Sequence, residues 1–143
     1  ATIYGDMNGA FNPIKDIYKT EVFALAKWRN KNIPDISTYK KTDLIPENII
    51  DKEPTAELRE DQKDSDSLPE YELLDKILYQ LIEEKKSVEE IIKSGFENNL
   101  VKKVAKLFFN SEYKRKQAPL GVKLSRVSFD KDRRYPITNN FKQ

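Results

Sequence analysis

The chain has 143 residues, 38% hydrophobic and 35% charged, with 26 Lys and Arg against 24 Asp and Glu. That length holds one domain with a modest core, and the high charged fraction puts much of it on surfaces or interfaces. The lack of cysteine excludes disulfides and thiolate metal sites, and the lack of histidine excludes Ser-His-Asp triads and His-based zinc sites.

The near-neutral total of +2 hides a strong polarity. Residues 1–42 carry 7 basic and 4 acidic groups, residues 43–100 carry 7 and 17, and residues 101–143 carry 12 and 3. An acidic middle and a basic end can pair with each other, with a second copy or with an anionic ligand, or can be solvated helix faces of opposite sign. No apolar run approaches the roughly 20 residues that span a bilayer, and the start has no signal-peptide core. A cytoplasmic protein is expected, and Ala1-Thr2-Ile3-Tyr4 reads like the interior of something longer.

In chain order, Gly5-Asp6-Met7-Asn8-Gly9 is a turn before a helix start. It suits a phosphate or a plain strand-to-helix turn, and its spacing is not that of a P-loop. Asn12 as N-cap and Pro13 at the first helical position predict a helix from there to about Asn30–Asn32. Ile14, Ile17, Tyr18, Val22 and Leu25 form its stripe, which Phe23, Ala24, Ala26 and Trp28 widen until the helix should be buried on more than one side. Lys19 on that helix is a solvated lysine or a ligand contact.

Residues 33–46 read as irregular, and Ile45-Pro46 opens a short helical turn over Glu47–Asp51. Residues 52–68 form a polar, acidic loop. Within it, Glu53-Pro54-Thr55-Ala56-Glu57-Leu58 sets a hydroxyl between two carboxylates. Such oxygens suit Mg²⁺ bridged to phosphates, and they equally suit an acidic surface loop with Thr55 as a local cap.

A second long helix is predicted from about Pro69 to Lys85 on the stripe Tyr71, Leu74, Ile77, Leu78, Leu81 and Ile82. Ser87-Val88-Glu89-Glu90 is a capping box, and Gly95 suits the stop of the short helix it starts. A third long helix runs from about Asn98, burying Leu100, Val101, Val104, Leu107 and Phe108, and continues to Lys116. Its end, Tyr113-Lys114-Arg115-Lys116, can hold a phosphate or stack on a base. Nucleic acid is the rival partner, because the irregular tail adds Lys123, Arg126, Lys131, Arg133 and Arg134, although no nucleic-acid motif accompanies them.

Taken in order, these motifs resemble the synthetase domain of NAD synthetases. The resemblance rests on Asn12-Pro13-Ile14-Lys15-Asp16-Ile17-Tyr18-Lys19-Thr20, Pro54-Thr55-Ala56-Glu57-Leu58, Asp64-Ser65-Asp66-Ser67-Leu68-Pro69-Glu70-Tyr71 and Ser111-Glu112-Tyr113-Lys114-Arg115. Gly121-Val122-Lys123-Leu124-Ser125 through Asp132-Arg133-Arg134-Tyr135-Pro136 is closest to the glutamine-dependent branch. The resemblance implies a mainly α fragment of an α/β adenine-nucleotide α-hydrolase-like (Rossmann-like, ATP-pyrophosphatase) domain, with residues 1–143 as the C-terminal portion of the synthetase domain. It implies ATP-dependent amidation of deamido-NAD to NAD through an adenylated intermediate, with Mg²⁺ as cofactor and ammonia from glutamine hydrolysis.

By position, the resemblance assigns Lys19 to ATP, Thr55 to the ATP phosphates and metal, and Lys114 with Tyr113 to deamido-NAD. Tyr113 stands where ammonia-only relatives carry histidine, and Ile3 and Ala10 replace a lysine and an aspartate that contact deamido-NAD there. The family's S-G-G-x-D-S loop does not occur within these 143 residues. The expected partners are therefore the upstream synthetase and glutaminase regions, small-molecule nucleotides and a further copy in a homo-oligomer, with no membrane and no nucleic acid. The 143 residues alone are expected to be inactive. A non-catalytic interaction or nucleic-acid-binding module using the basic last third is the alternative.

Overall fold

Three helices that cannot bury their apolar stripes singly form the centre of the molecule. The structure is a computed structural model and describes residues 9–52, 54 and 68–137. Six helices follow in order: α1 Lys19–Lys31, α2 Glu47–Asp51, α3 Tyr71–Ile82, α4 Val88–Lys93, α5 Asn98–Asn110 and α6 Glu112–Gln117. Among the described residues there is no strand, only an isolated parallel bridge between Phe11 and Leu120.

Leu74, Ile77 and Leu81 of α3, Val88 and Ile91 of α4, and Val101, Val104 and Ala105 of α5 make one buried cluster. Their spacing by three and four residues puts each set on one helix face, and burying those faces drives the three helices together. The ends are set by local chemistry. Ser87 and Glu90 form the predicted capping box, with Glu90 N donating to Ser87 Oγ and Ser87 N to Glu90 Oε2. The Glu97 carboxylate accepts from the N–H groups of Asn99 and Leu100 at 2.8 and 2.7 Å and caps α5. Gly95, at φ +105°, takes the left-handed conformation that stops the chain after α4. Helix α3 ends at Ile82, three residues short of the expected limit at Lys85, which itself stands at φ 55°.

Two helix expectations are corrected. The first helix begins at Lys19, not Asn12, and residues 13–16 form a turn. Asn12 Oδ1 accepts from Ile14 N, as a cap would, but Asp16 turns its carboxylate to the tail and Tyr18 is extended at φ −71°, ψ 158°. Bonds to distant residues outweigh a cap worth about 1 kcal/mol. The start of α1 is instead held by Asp75 of α3, which accepts from Thr20 N at 2.9 Å and Thr20 Oγ1 at 2.8 Å. Nor is α1 buried on several sides: none of its residues is buried, and Leu25 and Trp28 are about half exposed. Its inner side meets α3, where the Phe23 and Tyr71 rings lie 6.5 Å apart.

The third long helix is likewise two. Ser111, at φ −89° and ψ 4°, separates α5 from α6, with its hydroxyl donating to Phe108 O at 2.8 Å. The break turns Glu112 and Arg115 inward, both buried. After α6 the chain is irregular, as expected, and returns across residues 11–18.

No helix among the described residues is long and apolar enough to cross a membrane. Of the ion pairs seen among the described residues, Lys15–Asp130, Lys86–Glu84, Arg115–Glu112 and Lys123–Asp132, none joins the acidic middle to the basic last third. The fully buried Ile77 gives the first expected outcome. Ile77→Ala should lower unfolding free energy by about 2–5 kcal/mol, read from urea denaturation, whereas Ile49→Ala on the exposed side of α2 should change it little.

Candidate functional site

A cavity of about 620 Å³ lies between the 15–19 turn, the outer side of α3, the α5–α6 junction and the returning tail. Its apolar wall comes from Tyr71, Leu74, Leu78, Val104, Leu107 and Phe108, and the tail contributes Ser125, Val127, Phe129 and Arg133.

The tail is pinned by a single carboxylate. Asp16 Oδ2 accepts from Leu124 N at 2.6 Å, Ser125 N at 2.8 Å and Ser125 Oγ at 3.0 Å, while Oδ1 accepts from Phe129 N at 2.5 Å. Burial acts to raise the Asp16 carboxyl, but backbone hydrogen bonds from Ser125, Phe129 and Leu124 outweigh it and hold the group below the usual 3.8. Lys15, whose side chain is almost fully buried, donates to Pro119 O and to Asp130 Oδ1, the latter at 2.8 Å. Gly121 permits this approach: a Cβ there would sit 2.6 Å from Asn12 O and 2.7 Å from Lys15 Cε.

Further along, Glu112 Oε1 accepts from Arg115 Nε at 2.7 Å, Arg115 Nη2 at 2.5 Å and Tyr135 N at 3.1 Å. Arg115 Nη1 reaches Asp130 O at 2.9 Å, and Glu83 Oε2 accepts from Val127 N at 3.0 Å. The acids of the cavity wall, Asp16, Asp75, Glu83 and Glu112, are thus all engaged by donors of the protein. The cations divide differently. Lys15 and Arg115 are consumed internally, whereas among the described residues the Lys19 and Lys114 side chains make no hydrogen bond or ion pair, and Lys19 Nζ stands 6.0 Å from the Tyr71 ring centre. Burial, then the Glu83 charge, pushes the Tyr18 phenol up, so Tyr18 presents a neutral hydroxyl to the cavity. The cavity wall therefore has hydrogen-bonded acids and two lysine ammonium groups without a partner among the described residues.

Of the residues named from sequence, Lys19 and Lys114 come together on this one cavity although 95 positions separate them (114 minus 19). Tyr113 is 41% exposed and is not part of the lining. Thr55 and the loop around it lie outside the described residues. Of the tail cations offered to nucleic acid, Lys123 pairs with Asp132 and Arg133 lines the cavity, which breaks up the basic surface. Sequence reasoning missed Asp16 as the organiser of the tail and Arg133 as a cavity residue, because both depend on contacts more than a hundred residues apart or on the path of an irregular segment.

Comparison with known proteins agrees with the motifs. The family model described as NAD synthase matches residues 1–118. The chain belongs to the NAD synthase family. It is 50% identical to the glutamine-dependent NAD(+) synthetase of Acinetobacter baylyi over 99% of this chain and 25% of that protein. The Thermotoga maritima protein of the same name is 49% identical over 100% and 24%, and that of Aquifex aeolicus 51% over 98% and 23%. The chain therefore spans about a quarter of the length of these relatives. A solved glutamine-dependent NAD+ synthetase from Acinetobacter baumannii, in complex with ADP, superposes with a TM-score of 0.50 at 41% identity, covering 87% of this chain and 20% of that one. The fold is thus a mainly helical part matching an adenine-nucleotide α-hydrolase-like synthetase.

The depressed Asp16 carboxyl sets the sign of an acid response. Its stabilising contribution is fully present above the unfolded value of about 4 and is lost as pH falls through the lower folded value. Amide hydrogen exchange at Leu124, Ser125 and Phe129 should therefore accelerate only in acid. Asp16→Ala should produce the same acceleration at neutral pH and cost about 2–4 kcal/mol. Unchanged exchange in that variant would refute the pinning role.

Proposed function

We propose that this chain serves NAD biosynthesis, as the part of a glutamine-dependent NAD synthetase that receives the nucleotide substrates. The observation that carries the proposal is the pair of unpaired lysines, Lys19 and Lys114, on one cavity whose acids are all engaged. In the proposed reaction the nicotinate carboxylate of deamido-NAD attacks the α-phosphorus of ATP and pyrophosphate leaves. Ammonia then attacks the acyl carbon and AMP leaves, giving the amide of NAD. Neither step needs a side-chain nucleophile or histidine, which suits a chain without histidine or cysteine. Positioning and charge stabilisation carry the acceleration.

Lys19, at the first position of α1, is assigned to ATP, and Lys114 on α6 to deamido-NAD. Thr55 is assigned to the ATP phosphates and Mg²⁺. Among the described residues no group of three Asp or Glu side chains forms a metal cage, so the assignment rests on the Thr55 loop acting with phosphate oxygens. Mg²⁺ would offset phosphate charge there. Tyr113, beside Lys114 but outside the lining, is assigned a contact at the rim. The proposed partners are the upstream synthetase and glutaminase regions and a further copy, and the half-exposed Leu25 and Trp28 of α1 support a covering surface.

Mixing the chain with the upstream segments of the Acinetobacter baylyi relative, ATP, Mg²⁺, ammonia and deamido-NAD should give NAD, read by an enzymatic cycling assay. An assembled complex without any product would count against the proposal. Lys114→Ala should weaken deamido-NAD binding about tenfold, the scale of one lost charge-assisted hydrogen bond. An unchanged dissociation constant removes that assignment.

A further inference from the structure

One cation of the cavity wall has donors without a partner among the described residues and was given no role by the resemblance. Arg133 comes from the irregular tail, and its Nε and Nη1 are buried without a hydrogen-bond partner among the described residues. Its guanidinium carbon lies 5.2 Å from the Phe108 ring centre and 4.9 Å from that of Phe129. These rings offset part of the burial, but a ring face does not satisfy an N–H that points elsewhere in the guanidinium plane. Glu112, the carboxylate whose charge acts on Arg133, already takes three donors on one oxygen from Arg115 and Tyr135. Burial pulls the group below the usual arginine value, yet a guanidinium keeps its proton. A half-buried cation with two buried, unpartnered N–H donors at a cavity wall is costly alone and is relieved by an anion from outside.

We propose that Arg133 is a substrate-binding residue of this cavity, donating to the anionic oxygens of the bound nucleotide, either a phosphate or the pyridine carboxylate. The proposal rests on the nucleotide reading of the cavity and extends it. Lys19 and Lys114 are exposed point charges that attract an anion, whereas Arg133 sits deeper, is held between packed rings and can orient one. Because Arg133 lies on the segment that Asp16 pins, the ligand also acquires a contact that exists only while the tail is seated.

The test measures binding of deamido-NAD and of NAD by calorimetry to the chain assembled with the upstream segments of the Acinetobacter baylyi relative, unsubstituted and as Arg133→Met and Arg133→Lys. Arg133→Met should weaken deamido-NAD at least about tenfold, and Arg133→Lys less, because a point charge replaces part of the interaction. An equal loss for NAD assigns the contact to a phosphate. A loss for deamido-NAD alone assigns it to the carboxylate, which NAD carries as an amide. Should the variants misfold, the unsubstituted chain still decides the matter: the Arg133 Nε–H resonance should move and exchange more slowly when deamido-NAD is added. A static resonance, or folded variants that bind like the parent while Lys114→Ala loses affinity, overturns the Arg133 assignment and leaves the nucleotide reading standing. Absence of binding by the unsubstituted chain assembled with those upstream segments removes both.

Discussion

The Asp16 carboxylate holds the two ends of the described chain in one place. It accepts from three backbone amides and one hydroxyl of residues 124–129, more than a hundred positions away. A carboxylate so loaded is stabilised in its charged form, and four donors on one side chain fix an irregular segment that has no ladder or helix to order it. Lys15 next to it adds a buried bond to Asp130, and Gly121 lets the two segments approach within van der Waals reach. Without this clasp the cavity would lack its fourth wall, since Ser125, Val127, Phe129 and Arg133 all arrive on the tail.

The clasp also explains the electrostatics of the cavity. Backbone amides need acceptors when buried, and an irregular tail has few of its own. Asp16, Glu83 and Glu112 supply them, so the acids nearest the cavity are spent on structure. The cations are not spent equally. Lys15 closes onto the Asp130 carboxylate and Arg115 onto Glu112 and the Asp130 carbonyl, while Lys19, Lys114 and Arg133 keep donors without a partner among the described residues. The acids thus have their lone pairs engaged while these cations keep donors to offer, which is the electrostatic basis of the proposed anion site. That division of labour fits a family whose curated members here are named NAD(+) synthetases, and a solved relative holds ADP.

Local signals were read well where local chemistry decides. The Ser87–Glu90 box, the Gly95 stop, the short helix at Glu47 and the stripe of α3 all depend on residues within four positions of one another. The α5 stripe was right at Val101 and Val104 but not at Leu107, which is exposed while Ala105 is buried. The misreadings share a different cause. Asn12-Pro13 is a competent helix start, but Asp16 and Tyr18 are claimed by distant partners, so the helix waits until Lys19, where Asp75 of another helix caps it. The stripe from Leu100 to Lys116 lacks a helix breaker, yet Ser111 breaks it because Glu112 and Arg115 pair inward with the tail. In both cases buried hydrogen bonds outweighed propensity, which differs by less than about 1 kcal/mol among ordinary residues.

The sequence by itself determined the family, the helical character, the core stripes and the candidacy of Lys19 and Lys114, since each rests on residue type, spacing and order. It also limited the chemistry to what carboxylates, lysines, arginines and hydroxyls can do. Only the tertiary structure decided that those lysines line one cavity, that Tyr113 stands outside its lining, and that Arg133 joins them with two buried donors. The reason is physical. Spacing along a helix is written in neighbouring residues, whereas which side chain remains unpaired depends on every donor and acceptor that the fold brings within about 3 Å.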